Sequence, residues 1–188
     1  ENLNPQQLQA VQHCEGPLIV VAGAGSGKTR VITCRIAHLI KEKGLPPESI
    51  LAITFTNKAA GEMKERVRTM LDLRGAHPWV STFHSFCLRI LRKHISELGF
   101  SNDFAVYDAQ DQLTLVKQCM KVAEISSDAF PPKSLLNLIS GFKNDFLMPK
   151  DVEQDSMPYG NQFKAASLYP VYQAALKKNN ALDFDDLL

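Results

Sequence analysis

The sequence predicts an α/β fold built on a parallel sheet, followed by a mostly helical segment. Three short apolar runs alternate with stretches that repeat apolar residues at helical spacing. Continuously apolar runs rich in β-branched residues are typical of parallel strands, because helices cover both faces of such a sheet. The order strand, helix, strand, helix, strand, helix therefore indicates a parallel sheet with helices on both faces.

The first strand is predicted at 18–21, and a glycine-rich turn separates it from a helix with apolar residues at 31, 32, 36, 39 and 40. This spacing places them on one helix face, and the glycine and prolines of 44–47 end the helix. Further strands are predicted at 50–55 and 79–83, each followed by a helix. Asn57 is the predicted N-cap of the first of these helices, and Gly99 the predicted stop of the second.

The predicted secondary structure changes near residue 102, from alternating strands and helices to mostly helices. A short strand at 104–107 precedes a helix whose start is marked by Asp108 and Asp111, since acidic residues are favourable near the positive end of a helix. Two prolines at 131–132 separate it from a short helix around 135–142. A loop at 149–160 then leads to a last helix around 163–176, so this segment is mostly helical.

The formal net charge of +1 hides an asymmetry between the two segments. Residues 1–102 carry six Lys and seven Arg against eight acidic residues, a net charge of +5. Residues 103–188 carry eight Lys and no Arg against twelve acidic residues, a net charge of −4. Because arginine suits bidentate contact with phosphate, we expect an anionic partner to meet the first segment; compositional drift between two sub-domains is the alternative.

Composition excludes several classes of protein. A chain of 188 residues with 45% hydrophobic and 22% charged residues is typical of a globular domain, not of a disordered tail, a collagen-like repeat or a coiled coil. The longest apolar run, 18–22, is far shorter than the roughly 20 residues of a membrane span, and no signal peptide is evident. Four widely spaced cysteines without a C-x-x-C pair indicate reduced thiols rather than disulfides or a zinc site. We therefore expect a cytoplasmic protein without a membrane partner.

The strongest motif is the run Ala-Gly-Ala-Gly-Ser-Gly-Lys-Thr at 22–29, which fits the P-loop pattern G-x-x-x-x-G-K-[ST] except for Ala22 at its first position. Glycine-rich backbone wraps phosphate oxygens with N–H groups, and the following helix N-terminus adds a positive partial charge. Lys28 is the predicted cation for the β- and γ-phosphates, and Thr29 the predicted Mg²⁺ ligand. The position of the motif between a strand and an amphipathic helix favours nucleoside triphosphate binding over an incidental glycine-rich turn.

Other motifs flank this loop in order. They are LNPQQLQAV at 3–11, TFTNKAA at 54–60, STFHSF at 81–86 and DFDDLL at 183–188, with Arg30 directly after Thr29. Together they resemble the N-terminal part of the superfamily 1 DNA helicases of the UvrD/Rep/PcrA type, a family that usually shows alanine where Ala22 stands. The resemblance covers the whole chain and is strongest over 3–86.

The resemblance implies an ATP site with Mg²⁺ as the metal, in which Lys28 and Thr29 are catalytic and Thr29 holds the metal. A primary amide can donate to adenine N7 and accept from N6, which is the role implied for Gln7; an exposed polar residue is the alternative. Arg30 is implied to support the nucleotide, with a solvated helix residue as the alternative. The implied nucleotide-binding residues are Gln7, Ala22, Gly23, Ala24, Gly25, Ser26, Gly27, Lys28, Thr29 and Arg30.

Two further motifs are implied to meet single-stranded DNA. Both follow predicted strands, and open α/β folds bind ligands at the C-terminal edge of their parallel strands. Phe55 is the candidate for stacking on a base, with core packing as the alternative; for His84 the alternative is a hydrogen-bonded spacer. The implied DNA-binding residues are Thr54, Phe55, Thr56, Asn57, Lys58, Thr82, Phe83, His84 and Ser85.

The resemblance also implies a domain organisation. Residues 1–102 correspond to part of a RecA-like motor domain 1A, 103–181 to a helical 1B insertion, and 182–188 to the return to 1A before the Walker B strand. Asp183, Asp185 and Asp186 invite interpretation as a metal site, but the resemblance argues against it because this stretch only precedes the Walker B acids.

The implied function is that of an ATP-dependent 3′→5′ DNA helicase. Such an enzyme couples ATP hydrolysis to translocation on single-stranded DNA and to unwinding of duplex DNA, together with DNA-repair or replication proteins. The Walker B acids and the arginine fingers of a second RecA-like domain are not in this sequence, so we expect the chain alone to lack hydrolysis. A helicase–nuclease subunit and a stand-alone nucleotide- or DNA-binding module are the alternatives.

Overall fold

The computed structural model describes residues 3–71, 75–153 and 157–188. Within these residues, seven segments form α-helices and four form strands, and both strand pairs are parallel. The predicted mixed α/β class with parallel strands is therefore confirmed. The chain divides into two compact units, Glu1–Ser85 and Phe86–Leu188.

The first unit contains two parallel strands covered by helices. Strands β1 and β2 pair in a register that runs from Leu51 opposite Trp79 to Thr54 opposite Thr82. Both strands were predicted, as were the helices that follow the glycine-rich turn and the first of the two strands. The elements are α1 (Pro5–Gln12), α2 (Lys28–Lys41), β1 (Leu51–Thr54), α3 (Asn57–Leu71) and β2 (Trp79–Thr82).

The core of this unit lies where α2 and α3 pack on the two strands. Ala52 of β1 and Val80 of β2 are buried together with Ile36 of α2 and with Met63 and Val67 of α3. The residues from α3 recur at helical spacing, so one face of that helix is removed from water. Burying a side chain of this size contributes about 1.5–3 kcal/mol, which makes this face the main stabilisation of α3.

The N-cap of α3 is Thr56, not Asn57 as predicted. The hydroxyl oxygen of Thr56 accepts a hydrogen bond from the N–H of Ala59 at 3.1 Å, while Asn57 is already the first helical residue. Threonine and asparagine are both good caps. The backbone path out of β1 places the threonine, rather than the asparagine, at the position where the cap is needed.

The predicted first strand at 18–21 is wrong. Residues 18–21 belong to no strand, and Ile19 and Val21 are 88% and 94% exposed. A strand is held by hydrogen bonds to its neighbours, and among the residues that the structure describes no strand pairs with this segment. An apolar run rich in β-branched residues favours a buried strand, but a strand forms only where a neighbouring strand is present to pair with it.

The second unit is mostly helical, as predicted. Helix α4 (Phe83–His94) crosses the boundary between the units and continues into a 3₁₀ turn that ends at Gly99, whose φ of 77° is the left-handed stop predicted there. The remaining elements are β3 (Ala105–Val106), α5 (Ala109–Val122), α6 (Pro132–Asn144), α7 (Asn161–Lys178) and β4 (Ala181–Leu182).

The core of this second unit lies among α5, α6 and α7. Val116, Leu135 and Tyr172 are fully buried there, one from each helix. The helix α5 starts at the predicted place, and Asp108 caps it, because its carboxylate accepts from the N–H groups of Gln110 and Asp111 at 2.8 Å each. A short parallel pair, β3 with β4, closes the unit by joining Ala105 to Ala181 in register.

The boundary between the two compact units falls between Ser85 and Phe86. The boundary predicted from the sequence lies near residue 102. Residues 95–104 pack with the second unit, where Ile95 and Phe104 share a buried cluster with Leu182 and Leu187. The assignment of 1–102, 103–181 and 182–188 to named helicase domains stays a prediction.

Within the described ranges, no helix is both long and apolar enough to cross a membrane. The four cysteines are free thiols, and Cys34 and Cys119 are buried.

Candidate nucleotide and nucleic-acid site

The glycine-rich loop ends in a backbone conformation that requires glycine. Gly25 and Gly27 have φ values of 75° and 83°, in the left-handed region that side chains disfavour. Gly27 is the N-cap of α2 and provides no side-chain cap for the amides of the first turn. These amides and the positive end of the helix dipole can accept an anion, since the first turn of α2 holds no acidic residue.

Lys28 is folded back over the loop that precedes it. Its ammonium nitrogen donates to the carbonyl oxygens of Ala22 at 3.0 Å and Gly23 at 2.7 Å. Ser26 braces the same loop, because its hydroxyl donates to Gly23 O at 2.8 Å. An ammonium group has three donors, so Lys28 can hold the loop and still meet a phosphate oxygen.

Gln7 joins helix α1 to this loop. Its side-chain oxygen accepts from the N–H of Asn4 at 3.0 Å, and the Asn4 side chain accepts from the N–H of Gln7 at 2.8 Å, which is a reciprocal capping box. The Gln7 side-chain nitrogen donates to Ser26 O at 3.0 Å. A Cβ added at Gly27 would lie 3.2 Å from that nitrogen, so Gly27 also leaves room for the glutamine.

A cleft of about 710 Å³ lies between α1, the segment 18–22 and the start of α2. Gln7, Ser26 and Lys28 line it with polar groups, and Leu18 and Val31 line it with apolar ones. A few polar groups set among apolar walls are typical of a small-molecule site. The structure thus brings four of the predicted nucleotide-binding residues, these three and Ala22, to one cavity.

Two of the remaining predicted nucleotide residues are in the first turn of α2. Thr29 is half-buried there, whereas Arg30 is exposed and lines a separate cavity with Glu65 and Arg66 of α3. Arg35 also lines the cleft and was missed by sequence reasoning. No local pattern marks it, because its contacts are to residues more than twenty positions away. Asn4 was missed as well, although Asn-Pro-x-Gln is a readable capping-box pattern.

The C-terminal edge of the two parallel strands presents an aromatic pair. Thr54 and Thr82 are opposite in register, so the next residues, Phe55 and Phe83, emerge side by side. Their ring centroids lie 5.8 Å apart with 48° between the planes. Phe55 is 90% exposed, which excludes core packing within the described structure, and Phe83 is 44% exposed. Exposed aromatic rings at a strand edge can stack on bases.

Several of the polar residues predicted to contact DNA also cap helices. The Thr56 hydroxyl accepts from Ala59 N–H, while the Thr54 hydroxyl donates to Thr56 O at 3.1 Å. Thr82, which is buried, accepts from Ser85 N–H at 3.2 Å and donates to the Ser85 hydroxyl at 2.9 Å.

The side chains beside these caps differ in exposure. Asn57 and Lys58 are exposed at the start of α3, and His84 is half-buried at the start of α4. The structure thus leaves Asn57, Lys58 and the aromatic pair Phe55–Phe83 as the open groups of this edge, and it turns the threonines toward backbone.

The aspartates near the end of the chain contact a buried lysine. The Lys143 ammonium lies 2.6 Å from Asp183 and 2.8 Å from Asp186. The Tyr172 hydroxyl donates to Asp183 at 3.1 Å. Burial raises the pKa of Asp186 above its ordinary value of 3.8, and the charge of Lys143 acts in the opposite direction. The ammonium therefore occupies the position between these carboxylates that a metal ion would take, and Asp185 forms no group with them that could hold one.

The amino-acid sequence is similar to that of a known protein family and its members. Residues 3–188 match the family model of the UvrD/REP helicase N-terminal domain. The ATP-dependent DNA helicase PcrA of Staphylococcus aureus (strain Mu50 / ATCC 700699) is 46% identical over 187 residues, covering 100% of this chain and 26% of that protein. The ATP-dependent DNA helicase PcrA of Staphylococcus epidermidis (strain ATCC 12228 / FDA PCI 1200) is 45% identical over 188 residues, with the same coverage. The chain spans about a quarter of the length of these relatives. Because the family model matches nearly every residue, the chain belongs to the UvrD/REP helicase N-terminal domain family.

Proposed function

We propose that this chain binds Mg-ATP and single-stranded DNA as the nucleotide-recognition part of an ATP-dependent DNA helicase. The proposal rests on one observation: Gln7 and Lys28 line the same cleft beside the glycine-rich loop. One residue is suited to a base and the other to phosphates. The likeness to PcrA over the whole chain favours this function over a helicase–nuclease subunit or a stand-alone binding module.

Gln7 is suited to adenine because its amide is only half used. One of its two N–H groups donates to Ser26 O, and one lone pair of its oxygen accepts from Asn4 N–H. The second N–H and the second lone pair match the acceptor N7 and the donor N6 of adenine. The contact with Ser26 also links the base end of the cleft to the phosphate loop, so the two ends of the nucleotide meet one connected backbone.

Lys28 and the α2 N-terminus are suited to the triphosphate. We infer that the Lys28 ammonium turns part of its hydrogen bonding from the loop carbonyls to the β- and γ-phosphates. The residues at 22–27 line the phosphates, and Arg30 adds a positive charge beside them. Thr29 would hold Mg²⁺ through its hydroxyl, a hard oxygen donor that fits this ion, while the phosphates and water fill its other positions. When bound, the ion neutralises charge on the β- and γ-phosphates.

The chain is suited to hold ATP but not to hydrolyse it. The described residues that line the cleft include no Asp or Glu, so no carboxylate there can orient an attacking water. Catalysis of phosphoryl transfer depends on a positioned nucleophile and on charges that face the transferred group. Lys28 and Thr29 contribute to catalysis only when the rest of the protein supplies the other half of the site.

Single-stranded DNA is proposed to cross the strand edge that carries the pair Phe55–Phe83. The rings stack on bases, and Asn57, Lys58 and His84 reach the DNA backbone. The polar residues Thr54, Thr56, Thr82 and Ser85 shape the path. The Thr56 hydroxyl proton remains a donor for a phosphate oxygen, because the Ala59 contact uses the oxygen only as an acceptor.

The whole protein is proposed to move 3′→5′ on single-stranded DNA and to unwind duplex DNA, coupled to ATP hydrolysis. Within it, residues 1–102 and 182–188 belong to a RecA-like domain 1A, and residues 103–181 form the 1B insertion. A cytoplasmic role with DNA-repair or replication proteins completes the proposal. These statements rest on the family resemblance.

Titration of the chain with Mg-ATP tests the nucleotide site. We expect a dissociation constant in the high micromolar range, because one side of the nucleotide meets solvent. Lys28→Ala weakens binding at least tenfold, since a hydrogen bond to a charged group contributes about 1.5–3 kcal/mol. Lys43→Ala, which removes an exposed lysine just after α2, is the matched control. Equal ATP affinity for Lys28→Ala and the wild-type chain would overturn the assignment.

A further inference from the structure

Arg35 ties the C-terminal end of helix α1 to helix α2. Its Nη1 donates to the carbonyl oxygen of Ala10 at 2.8 Å and also to the carbonyl oxygen of His13. Arg35 lies on α2, two turns after the glycine-rich loop, and it lines the same cleft as Gln7. One guanidinium group thus donates to two carbonyls at the end of α1, from residues 25 and 22 positions earlier in the chain.

Helix α1 needs such support. It has only eight residues, and helices of this length are marginal in water without tertiary contacts. Its last carbonyls lack partners within the helix, and a cation at this end is favourable to the helix dipole. His13 N–H satisfies Gln9 O, so Arg35 completes the end of the helix by taking the carbonyl of Ala10.

The other end of α1 is held by Gln7. Its side-chain nitrogen donates to Ser26 O in the loop. Gln7 lies three residues before Ala10, whose carbonyl Arg35 binds. Beside these attachments, Ala10 and Val11 pack on Val31 and Cys34 of α2 in a small buried cluster. Helix α1 is therefore clamped at two points against one rigid element, the loop followed by α2.

We propose that Arg35 is a positioning residue that sets the place of Gln7 and thereby the recognition of the base. The inference rests on the proposed function, in which Gln7 reads adenine. Without Arg35, α1 keeps its packing but loses the attachment that fixes its end. The Gln7 amide then no longer holds its unused N–H and lone pair toward the base, while Lys28 and the loop still hold phosphates.

Two ligands separate base recognition from phosphate binding. Mg-ATP engages both ends of the cleft, and Mg-tripolyphosphate, which has no base, engages the phosphate end alone. For Arg35→Gln we expect about a tenfold weaker affinity for Mg-ATP, from the loss of charged hydrogen bonds. We expect the affinity for Mg-tripolyphosphate to stay within about twofold of wild type, since neither contact of Arg35 touches the phosphate loop. Titrations followed by nuclear magnetic resonance reach millimolar dissociation constants and can measure both.

A second variant distinguishes positioning from direct contact. If Arg35 acts through Gln7, then Arg35→Gln has no further effect on ATP affinity in a Gln7→Ala chain. Arg35→Lys, which keeps a cation, loses less ATP affinity than Arg35→Gln, and it provides the same two-ligand comparison if Arg35→Gln does not fold. Arg68→Gln is the matched control, because Arg68 is exposed on α3, where it forms a surface ion pair with Glu65 at 3.5 Å.

Three results would overturn the inference alone: equal losses for the two ligands, no loss for either, or an undiminished effect of Arg35→Gln in the Gln7→Ala chain. The proposed function fails differently. A wild-type chain that binds neither Mg-ATP nor Mg-tripolyphosphate would overturn the nucleotide site itself, and this inference with it.

Discussion

The ammonium of Lys143 lies 2.6 Å from the carboxylate of Asp183, and the two side chains are 5% and 1% exposed. Asp186 and Tyr172 complete the cluster, each within 3.1 Å of one of these two groups. Two carboxylates thus share one buried cation, next to a phenol whose pKa is raised by burial and by Asp183. A buried pair of this kind is costly to break, because the remaining charge loses its partner.

Lys143→Met tests this cluster. We expect the variant to lose about 3–5 kcal/mol of unfolding free energy at pH 8, since it leaves two buried carboxylates without a cation. Burial already raises the pKa of Asp186, and removal of the lysine raises it further. A carboxylate whose folded pKa lies above its unfolded value stabilises the fold below the unfolded value and loses that contribution as the pH rises through the folded pKa. The deficit must therefore shrink as the pH falls from 8 toward 5.

Urea unfolding of Lys143→Met at pH 5, 6.5 and 8 measures this dependence. Lys133→Met, on the same helix but exposed, is the control and should remain close to wild type at each pH. A deficit that is the same at pH 5 and pH 8 would mean that Asp186 does not take up a proton when the lysine is removed.

Phe55→Ala should weaken the binding of single-stranded oligonucleotides by about 5- to 160-fold at low salt, because stacking contributes about 1–3 kcal/mol per base. The salt dependence should not change, since phenylalanine carries no charge. Fluorescence anisotropy with a labelled oligonucleotide measures both quantities. Phe146→Ala is the control, because Phe146 is 82% exposed but lies in the second unit. Equal losses for the two phenylalanine variants would remove the special role of the strand edge.

Lys58→Ala, unlike Phe55→Ala, should change the salt dependence of oligonucleotide binding. Removal of one phosphate contact reduces the magnitude of the slope of log K against log salt by about 0.7 for single-stranded DNA. Affinity should fall modestly and similarly for different base sequences, because a lysine at a phosphate reads no base. Anisotropy titrations at four salt concentrations give the slope. An unchanged slope would place Lys58 outside the DNA path.

The 188-residue chain should release no phosphate from ATP above background, with or without DNA. The cleft residues hold the ground state, and no Asp or Glu lines the described cleft to activate water. Lys28→Ala serves as the control for contaminating ATPases. Turnover that depends on Lys28 would show that the catalytic base lies within this chain, and our account of the site would then be incorrect.

The amides of residues 18–21 should exchange with solvent hydrogen far faster than those of Ala52 and Thr54, which lie on the side of β1 that bonds to β2. Exchange protection requires a hydrogen bond that must open. Residues 18–21 pair with no strand in the described structure, whereas β1 pairs with β2 over its full length. Exchange followed by mass spectrometry or nuclear magnetic resonance decides the matter. Slow exchange at 18–21 would mean that a partner covers this segment in solution.

Features that depend on nearby residues were predictable from the sequence alone. Helices α2 and α3 follow from apolar spacing, the start of α5 follows from Asp108, and the stop at Gly99 follows from the freedom of glycine at positive φ. These features reflect contacts within a few positions along the chain, so local sequence determines them. The run at 22–29 predicts a phosphate loop for the same reason, because the pattern lies within eight consecutive residues.

Tertiary structure decided the features that join distant residues. The exposure of residues 18–21 depends on strand partners, which no property of the run itself can supply. Lys143 meets Asp183 across 40 residues, and Arg35 meets Ala10 across 25, in pairs that carry no shared local pattern. The place of Gln7 beside Ser26 likewise depends on how α1 packs on α2. Apolar periodicity shows which face of a helix is buried but not which element covers it, and only the path of the whole chain decides which side chains meet.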